Sequence, residues 1–342
     1  MQKNIVHLIS YTKNNPIIVG SQADSEVKYK NDTDLYETII TKESKPDLIS
    51  ELHKMLLMIL GKMKRNKNVY FMDFKAGTYQ ALYISDEDIL NTKKRQGFYK
   101  KKLEEKLITE DILDTIENLK NDELLYFCSN LYKVRWSPTD IKHEYTTLFN
   151  GELYRFDEIF NHKSVIKLDI LFFDGKYFQP YSNMFQFINN GELLTESPDD
   201  VIQSLKEDMQ KYINQGNLYK SLKRAYSIAK IEQKEDLCNK LLDIINSKAG
   251  QYYQIKSYVE NCEEVLSKYP KREIVNKVKT SLEHLKGKYS LEKRFINHFE
   301  KAANKHTAKP LLKAIMKLKD ILFEKAQELT KKLIEKHHLD YI

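Results

Sequence analysis

The sequence predicts an α+β fold, a mixed sheet with flanking helices followed by a mostly helical C-terminal domain. Three observations predict it. Short runs rich in apolar and β-branched residues, at Pro16 to Gly20, Val69 to Phe74 and Val165 to Phe173, fall in the first half of the chain. From about Ser197 onward, apolar residues recur at helical spacing almost to the end. Gly (10) and Pro (7) are scarce among 342 residues, so little interrupts a helix. The change of pattern at 185–200 divides the chain into 1–190 and 191–342.

Each element has its own signal. Pro16 to Gly20 is a short buried strand ended by a glycine, and Asp32 to Ile40 alternates enough for a second. Leu48, Ile49, Leu52, Met55, Leu56, Ile59 and Leu60 put a helix over Pro46 to Lys64. Val69 to Phe74 reads as a strand, and Gln80 to Ile84 as another. Residues 86–130 are charged and mostly helical, an insertion within the first domain. Tyr132 to Trp136 is extended, and Pro138 turns the chain into a short helix. Val165 to Phe173 is the strongest strand, and Asp174-Gly175 makes a hairpin turn into Tyr177 to Pro180. The C-terminal helices are expected at Asp199 to Asn214, Leu218 to Glu232, Lys234 to Asn246, Gln251 to Tyr269, Lys271 to Lys286, Leu291 to Lys305 and Pro310 to His338.

Composition narrows the function. Hydrophobic residues make up 41% and charged residues 31%, a globular balance. Three scattered cysteines, Cys128, Cys238 and Cys262, argue against a disulfide framework, and no Cys/His spacing suggests zinc. Neither a signal peptide nor a membrane span is expected, which points to a reducing, cytoplasmic setting. Net charge is +7 and uneven: Lys271 to Ile342 holds 18 Lys+Arg against 9 Asp+Glu, a net +9, leaving −2 for the rest. A basic C-terminal region on a near-neutral body fits a polyanionic partner.

One constellation carries chemistry. Gly20-Ser21 follows an apolar strand, Asp32-Thr33-Asp34 follows after ten intervening residues, and Asp169 sits inside the strongest strand. Residues i and i+2 of a strand share a face, so Asp32 and Asp34 present two carboxylates to one spot. Two unpaired carboxylates so close repel, which raises one pKa or recruits a cation. Hard oxygen ligands suit Mg²⁺ or Mn²⁺, and Asp169 completes a site for two ions. One ion would activate an acceptor hydroxyl, and the other would hold a triphosphate and its pyrophosphate leaving group. Gly20 allows close backbone approach to phosphate, and Ser21 adds a hydroxyl donor. Asp73 is the rival third ligand, since it too lies on an apolar strand. Lys75 and Lys167 stand two residues from Asp73 and Asp169. They either neutralise phosphate or pair with those carboxylates.

A Gly-Ser turn, an acidic-x-acidic strand and a later acidic strand residue resemble the nucleotidyltransferase superfamily of DNA polymerase beta. The match falls at Gly20, Ser21, Asp32, Asp34 and Asp169. The resemblance makes the sheet nucleotidyltransferase-type, with Asp32, Asp34 and Asp169 as catalytic and metal-binding residues. A narrower likeness runs through Val69 to Gly77, Val134 to Pro138, Val165 to Leu171 and Leu218 to Lys230. These stretches are similar to the poly(A) polymerases of large cytoplasmic DNA viruses, the mimivirus type being nearest. That likeness implies ATP as donor, an RNA 3′ end as acceptor, a homodimer, and a virion or viral-factory location. It also lifts Tyr219, Lys220, Lys223 and Arg224 from an ordinary helix face to nucleotide-binding candidates beside Lys75 and Lys167. Two other readings remain open: the same site acting on a small molecule, a protein or a tRNA end, and a non-catalytic RNA-binding subunit.

Overall fold

Helix forms wherever apolar residues recur every third or fourth position and breakers are few. The structure, a computed structural model, describes residues 17–19, 26–29, 33–39, parts of 53–61, 69–74, 80–131, 147–156, 165–174, 177–181, 184–189, 192–195 and 198–339. Four helices occupy the charged segment: α1 (Asp86–Leu90), α2 (Thr92–Glu104), α3 (Glu110–Asn118) and α4 (Asn121–Leu131). Seven more follow: α5 (Pro198–Asn214), α6 (Leu218–Ile231), α7 (Glu235–Ile245), α8 (Lys248–Lys268), α9 (Arg272–Lys288), α10 (Lys293–Ala303) and α11 (Ala308–Lys336). All seven begin and end within about three residues of the positions their apolar spacing gives.

Local chemistry sets the helix ends. Ser85 accepts from the Asp88 amide to cap α1, whose first turn is acidic (Asp86, Glu87, Asp88). Asn217 caps α6 by accepting from the Lys220 amide at 3.2 Å. Between α5 and α6 the chain turns at Gly216, where φ is +66° and any side chain would be strained. The Gln327 side-chain amide from α11 donates to the Gly216 carbonyl, which ties this turn to the last helix.

The helices bury one large core. Leu222, Leu241, Val259, Leu282, Phe299 and Leu318 are among its members, and every member except Val27 and Leu339 lies on a helix. Tyr252 on α8 meets Phe295 on α10 at 5.0 Å between ring centroids. In the N-terminal half, Tyr99, Ile112, Ile116 and Phe127 are buried within α2 to α4. His53, whose ring lies edge-on to Phe127, joins Thr115 Oγ1 at 2.8 Å.

This distribution corrects the expected α+β class. Of the residues whose side chains are described, 81% are helical, with no strand and no sheet among them. The physical reason is where the described apolar residues are spent: the amphipathic helices bury against one another.

For the strands, the backbone path and its pairing are described. They are β1 (Ile17–Val19), β2 (Thr33–Ile39), β3 (Val69–Phe74), β4 (Thr147–Phe156), β5 (Val165–Asp174), β6 (Tyr177–Tyr181), β7 (Met184–Asn189) and β8 (Glu192–Thr195). Their order is β1-β2-β5-β4-β3 in one group and β6-β7-β8 in the other, with β2 and β5 parallel.

Two local expectations are also corrected. Gln80–Leu82 is a 3-10 turn leading to the Ser85 cap rather than a strand. Tyr177 to Pro180 pairs with β7 rather than folding back on β5, whose neighbours are β2 and β4. Of the helix expected over Pro46 to Lys64, His53, Lys54, Leu56, Leu57, Leu60 and Gly61 are described and are helical. The extended segment Tyr132 to Trp136 and the Pro138 helix lie outside the described residues.

Candidate active site

Strand register brings two of the predicted aspartates side by side. In the parallel pair β2–β5, Asp34 is the partner of Asp169. Across the antiparallel neighbour, Asp169 is the partner of Glu152 on β4, and Glu152 in turn of Asp73 on β3. Four acidic positions therefore form one row across four strands, in the order Asp34, Asp169, Glu152, Asp73. Directly paired positions share a face, and adjacent strands are about 4.8 Å apart. Asp73 stands three strands from Asp34, about 14 Å by the same spacing. Lys167, two residues before Asp169, is the partner of Tyr154. Gly20, Ser21, Asp32 and Lys75 lie outside the described residues. Among the described residues, no group of three His, Cys, Asp or Glu side chains could hold a metal ion, and the strand side chains fall outside that statement.

The chain between Ser21 and Asp32 is held by the helical core at residues 26–29. Val27 is buried and belongs to that core. Asn246, the residue that ends α7, grips the backbone on both sides of Val27. Its Oδ1 accepts from the Lys28 amide at 2.7 Å, and its Nδ2 donates to the Glu26 carbonyl at 2.9 Å. The Tyr226 hydroxyl donates to Glu26 Oε2 at 2.8 Å, and Lys230 Nζ donates to the same oxygen at 2.9 Å. Both donors hold the Glu26 carboxyl below the usual carboxylate range, the Lys230 hydrogen bond most strongly. Gly250 is required here by close approach: a Cβ would come within 1.9 Å of the Ile245 carbonyl oxygen, 2.9 Å of Tyr219 Oη and 3.0 Å of the Tyr29 ring.

Sequence reasoning missed Glu26, Asn246, Tyr226 and Lys230 because their contacts span about two hundred residues. It missed Glu152 because no strand was expected over Thr147–Phe156. We expect Asn246→Ala to destabilise the protein by about 1–2 kcal/mol, since two hydrogen bonds to backbone are lost and one amide is left without its acceptor. Urea unfolding at unchanged m-value checks this. A loss below about 0.3 kcal/mol would show that the segment is held without Asn246.

The candidates on α6 divide by burial. Tyr219 is fully buried, stacked on Tyr253 with centroids 4.4 Å apart, and its hydroxyl donates to the Ile245 carbonyl. It packs the core rather than offering a ring to a base. Burial, chiefly, pushes its phenol well above the usual range. Lys220 and Arg224 both lie over the Tyr212 ring, at 5.0 and 5.8 Å. Arg224 also pairs with Asp208 at 3.2 Å, and its buried Nε has no hydrogen-bond partner among the described residues. Lys223 is half-buried, and its carbonyl accepts from Ser227 Oγ. The structure thus gathers Lys220, Arg224 and Tyr212 into one cationic–aromatic cluster.

No protein-family model matches the chain, and no curated protein matches it. Solved structures do. The Mg662 protein of M. chilensis, whose crystal structure is a complex with GTP, is 15% identical with a TM-score of 0.54 over 99% of this chain and 93% of that one. A protein described as a new nucleotidyl transferase, encoded by a Megaviridae ORFan gene, is also 15% identical with a TM-score of 0.54, over 99% of this chain and 90% of its own. A second structure described in the same way is 14% identical with a TM-score of 0.52, over 98% and 92%. The chain shares its fold with these proteins along nearly its whole length.

Proposed function

We propose that the protein transfers a nucleotide from a nucleoside triphosphate to the 3′ end of an RNA, with ATP as donor. The observation that carries the reading is the register of Asp34 against Asp169 on parallel neighbouring strands. The fold shared with proteins described as nucleotidyl transferases supports the class of reaction.

The donor set fits hard divalent cations. Two carboxylates on paired positions, with Asp32 two residues before Asp34, give oxygen ligands alone, as Mg²⁺ and Mn²⁺ prefer. Asp169 is chosen over Asp73 because it is the immediate partner of Asp34. When bound, the ions supply charge stabilisation at the triphosphate and lower the pKa of the acceptor hydroxyl. The acceptor oxygen then forms a bond to the α-phosphorus as the bond to pyrophosphate breaks, and the hydroxyl proton is released. Gly20 and Ser21 would hold the triphosphate through backbone amides and a hydroxyl. Lys75, Lys167, Lys220, Lys223 and Arg224 would offset its charge. In this reading residues 1–190 carry the chemistry and 191–342 hold the acceptor, while the grip of Asn246, Tyr226 and Lys230 on residues 26–29 couples the two.

The test is incubation of the protein with a labelled RNA oligonucleotide, each nucleoside triphosphate singly, and Mg²⁺ or Mn²⁺. A stepwise ladder with ATP is expected. A ladder with GTP alone would move the donor to the nucleotide bound by the Mg662 protein. No extension with any of the four, by protein of intact helical content, would reject the reading.

A further inference from the structure

Several basic side chains of the helical core have an acidic partner. Lys256 pairs with Glu260, Lys286 with Glu283 and Glu300, Lys319 with Glu263, Lys325 with Glu292 and Glu328, and Lys332 with Glu328. One stretch is distinguished by its lack of acidic residues. Between Glu300 and Asp320 the sequence has six lysines and no acidic residue. Only Lys319 of the six is in an ion pair among the described residues. Lys301, Lys305, Lys309, Lys313 and Lys317 are all exposed.

The five cover the hairpin formed by α10 and α11. Lys309, Lys313 and Lys317 recur every four residues on α11, one row with a rise of about 6 Å per step. Lys301 on α10 belongs to the same surface. His298, one turn before it, is held below the usual imidazole range by burial and then by the charges of Lys301 and Lys317, which places the two helices' cations around one spot. The neighbouring groove lined by Arg294, His298, Glu324, Lys325 and Glu328 carries both signs, and its Lys325 is already paired. The unneutralised charge therefore lies on the hairpin and not in the groove.

We propose that this lysine face binds the sugar-phosphate backbone of a nucleic-acid strand, independently of its sequence. A row of cations at regular spacing matches a polyanion with regular charges, and long flexible ammonium groups neutralise phosphates without reading bases. An anionic bilayer fits less well: Met316 is the only large exposed apolar side chain on this hairpin among the described residues, so no apolar row accompanies the charge. The choice of RNA as the strand rests on the acceptor proposed above, and the surface extends that reading by giving the acceptor a place to lie.

The test compares the full-length protein with a variant carrying Lys→Gln at 301, 305, 309, 313 and 317, and with one carrying Lys→Arg at the same positions. A fluorescein-labelled single-stranded RNA oligonucleotide reports binding by anisotropy over a salt series. Each phosphate contact on a single strand contributes about −0.7 to the slope of log K against log salt. The Gln variant is expected to bind at least about tenfold more weakly in low salt, with a slope smaller in magnitude by about 3. The Arg variant should retain both affinity and slope. All five positions are exposed, so helical circular dichroism should not change. Equal affinity and slope for the parent and the Gln variant would overturn the proposal. So would capture of the parent protein by phosphatidylserine vesicles with no binding of RNA. Because this readout does not pass through catalysis, absent nucleotide transfer with salt-sensitive RNA binding intact would remove the proposed chemistry and leave this surface standing.

Discussion

Asp34→Asn and Asp169→Asn are each expected to reduce nucleotide transfer by about a thousandfold or more while leaving the fold in place. The two residues are partners on parallel neighbouring strands, so each amide would remove one of two adjacent anionic ligands from the proposed cation site. Metal-based charge stabilisation contributes several kcal/mol to such a transition state, and about 4 kcal/mol corresponds to a thousandfold in rate. Asp73→Asn supplies the comparison. Asp73 belongs to the same row but stands three strands from Asp34, so its loss should change the rate by about tenfold or less. Single-turnover rates at saturating nucleotide separate the two cases. Equal, severe losses for Asp73 and Asp169 would show that the row acts as a whole, and full activity of Asp34→Asn would end the metal-site reading.

The second large effect concerns stability. Phe295→Ala is expected to cost about 3–5 kcal/mol, a large share of the 5–15 kcal/mol typical of a folded domain. Phe295 is fully buried, sits one turn before the equally buried Phe299, and packs against Tyr252 on α8. Truncation therefore opens a cavity at the seam that attaches the α10–α11 hairpin to the rest of the core. Phe295→Leu keeps most of the volume and should cost less than about 1.5 kcal/mol. Urea unfolding measures both. A loss below about 1 kcal/mol for the alanine variant would show that the hairpin is attached elsewhere.

The helices were legible because their signal is local. Periodicity over α5 to α11 survives any tertiary context, and scarce Gly and Pro leave few competing ends. β5 was legible for a similar reason, since Val165 to Phe173 is a long β-rich run. β4 was not: no strand was expected over Thr147–Phe156, where Asn150-Gly151 interrupts the apolar and β-branched residues. The class of the fold was misjudged: three strand signals suggested an α+β mixed sheet ahead of the helical region, whereas the apolar side chains of the described core are spent on helices. Within the candidate site, the sequence put forward Asp34 and Asp169 as candidates, but only pairing could reveal that they are partners and that Glu152 continues their row. Tyr219 shows the opposite limit. On α6 it follows the spacing of Lys220 and Lys223, yet its ring fills the space beside Tyr253 and Gly250, which no local pattern records.

The most direct measurement is a crystal of the protein soaked with a non-hydrolysable nucleoside triphosphate and Mn²⁺, with manganese located by anomalous scattering. We expect manganese within coordinating distance of both the Asp34 and Asp169 carboxylates, and the triphosphate beside Gly20-Ser21. Manganese or triphosphate bound elsewhere, with the two carboxylates facing apart, would contradict the account.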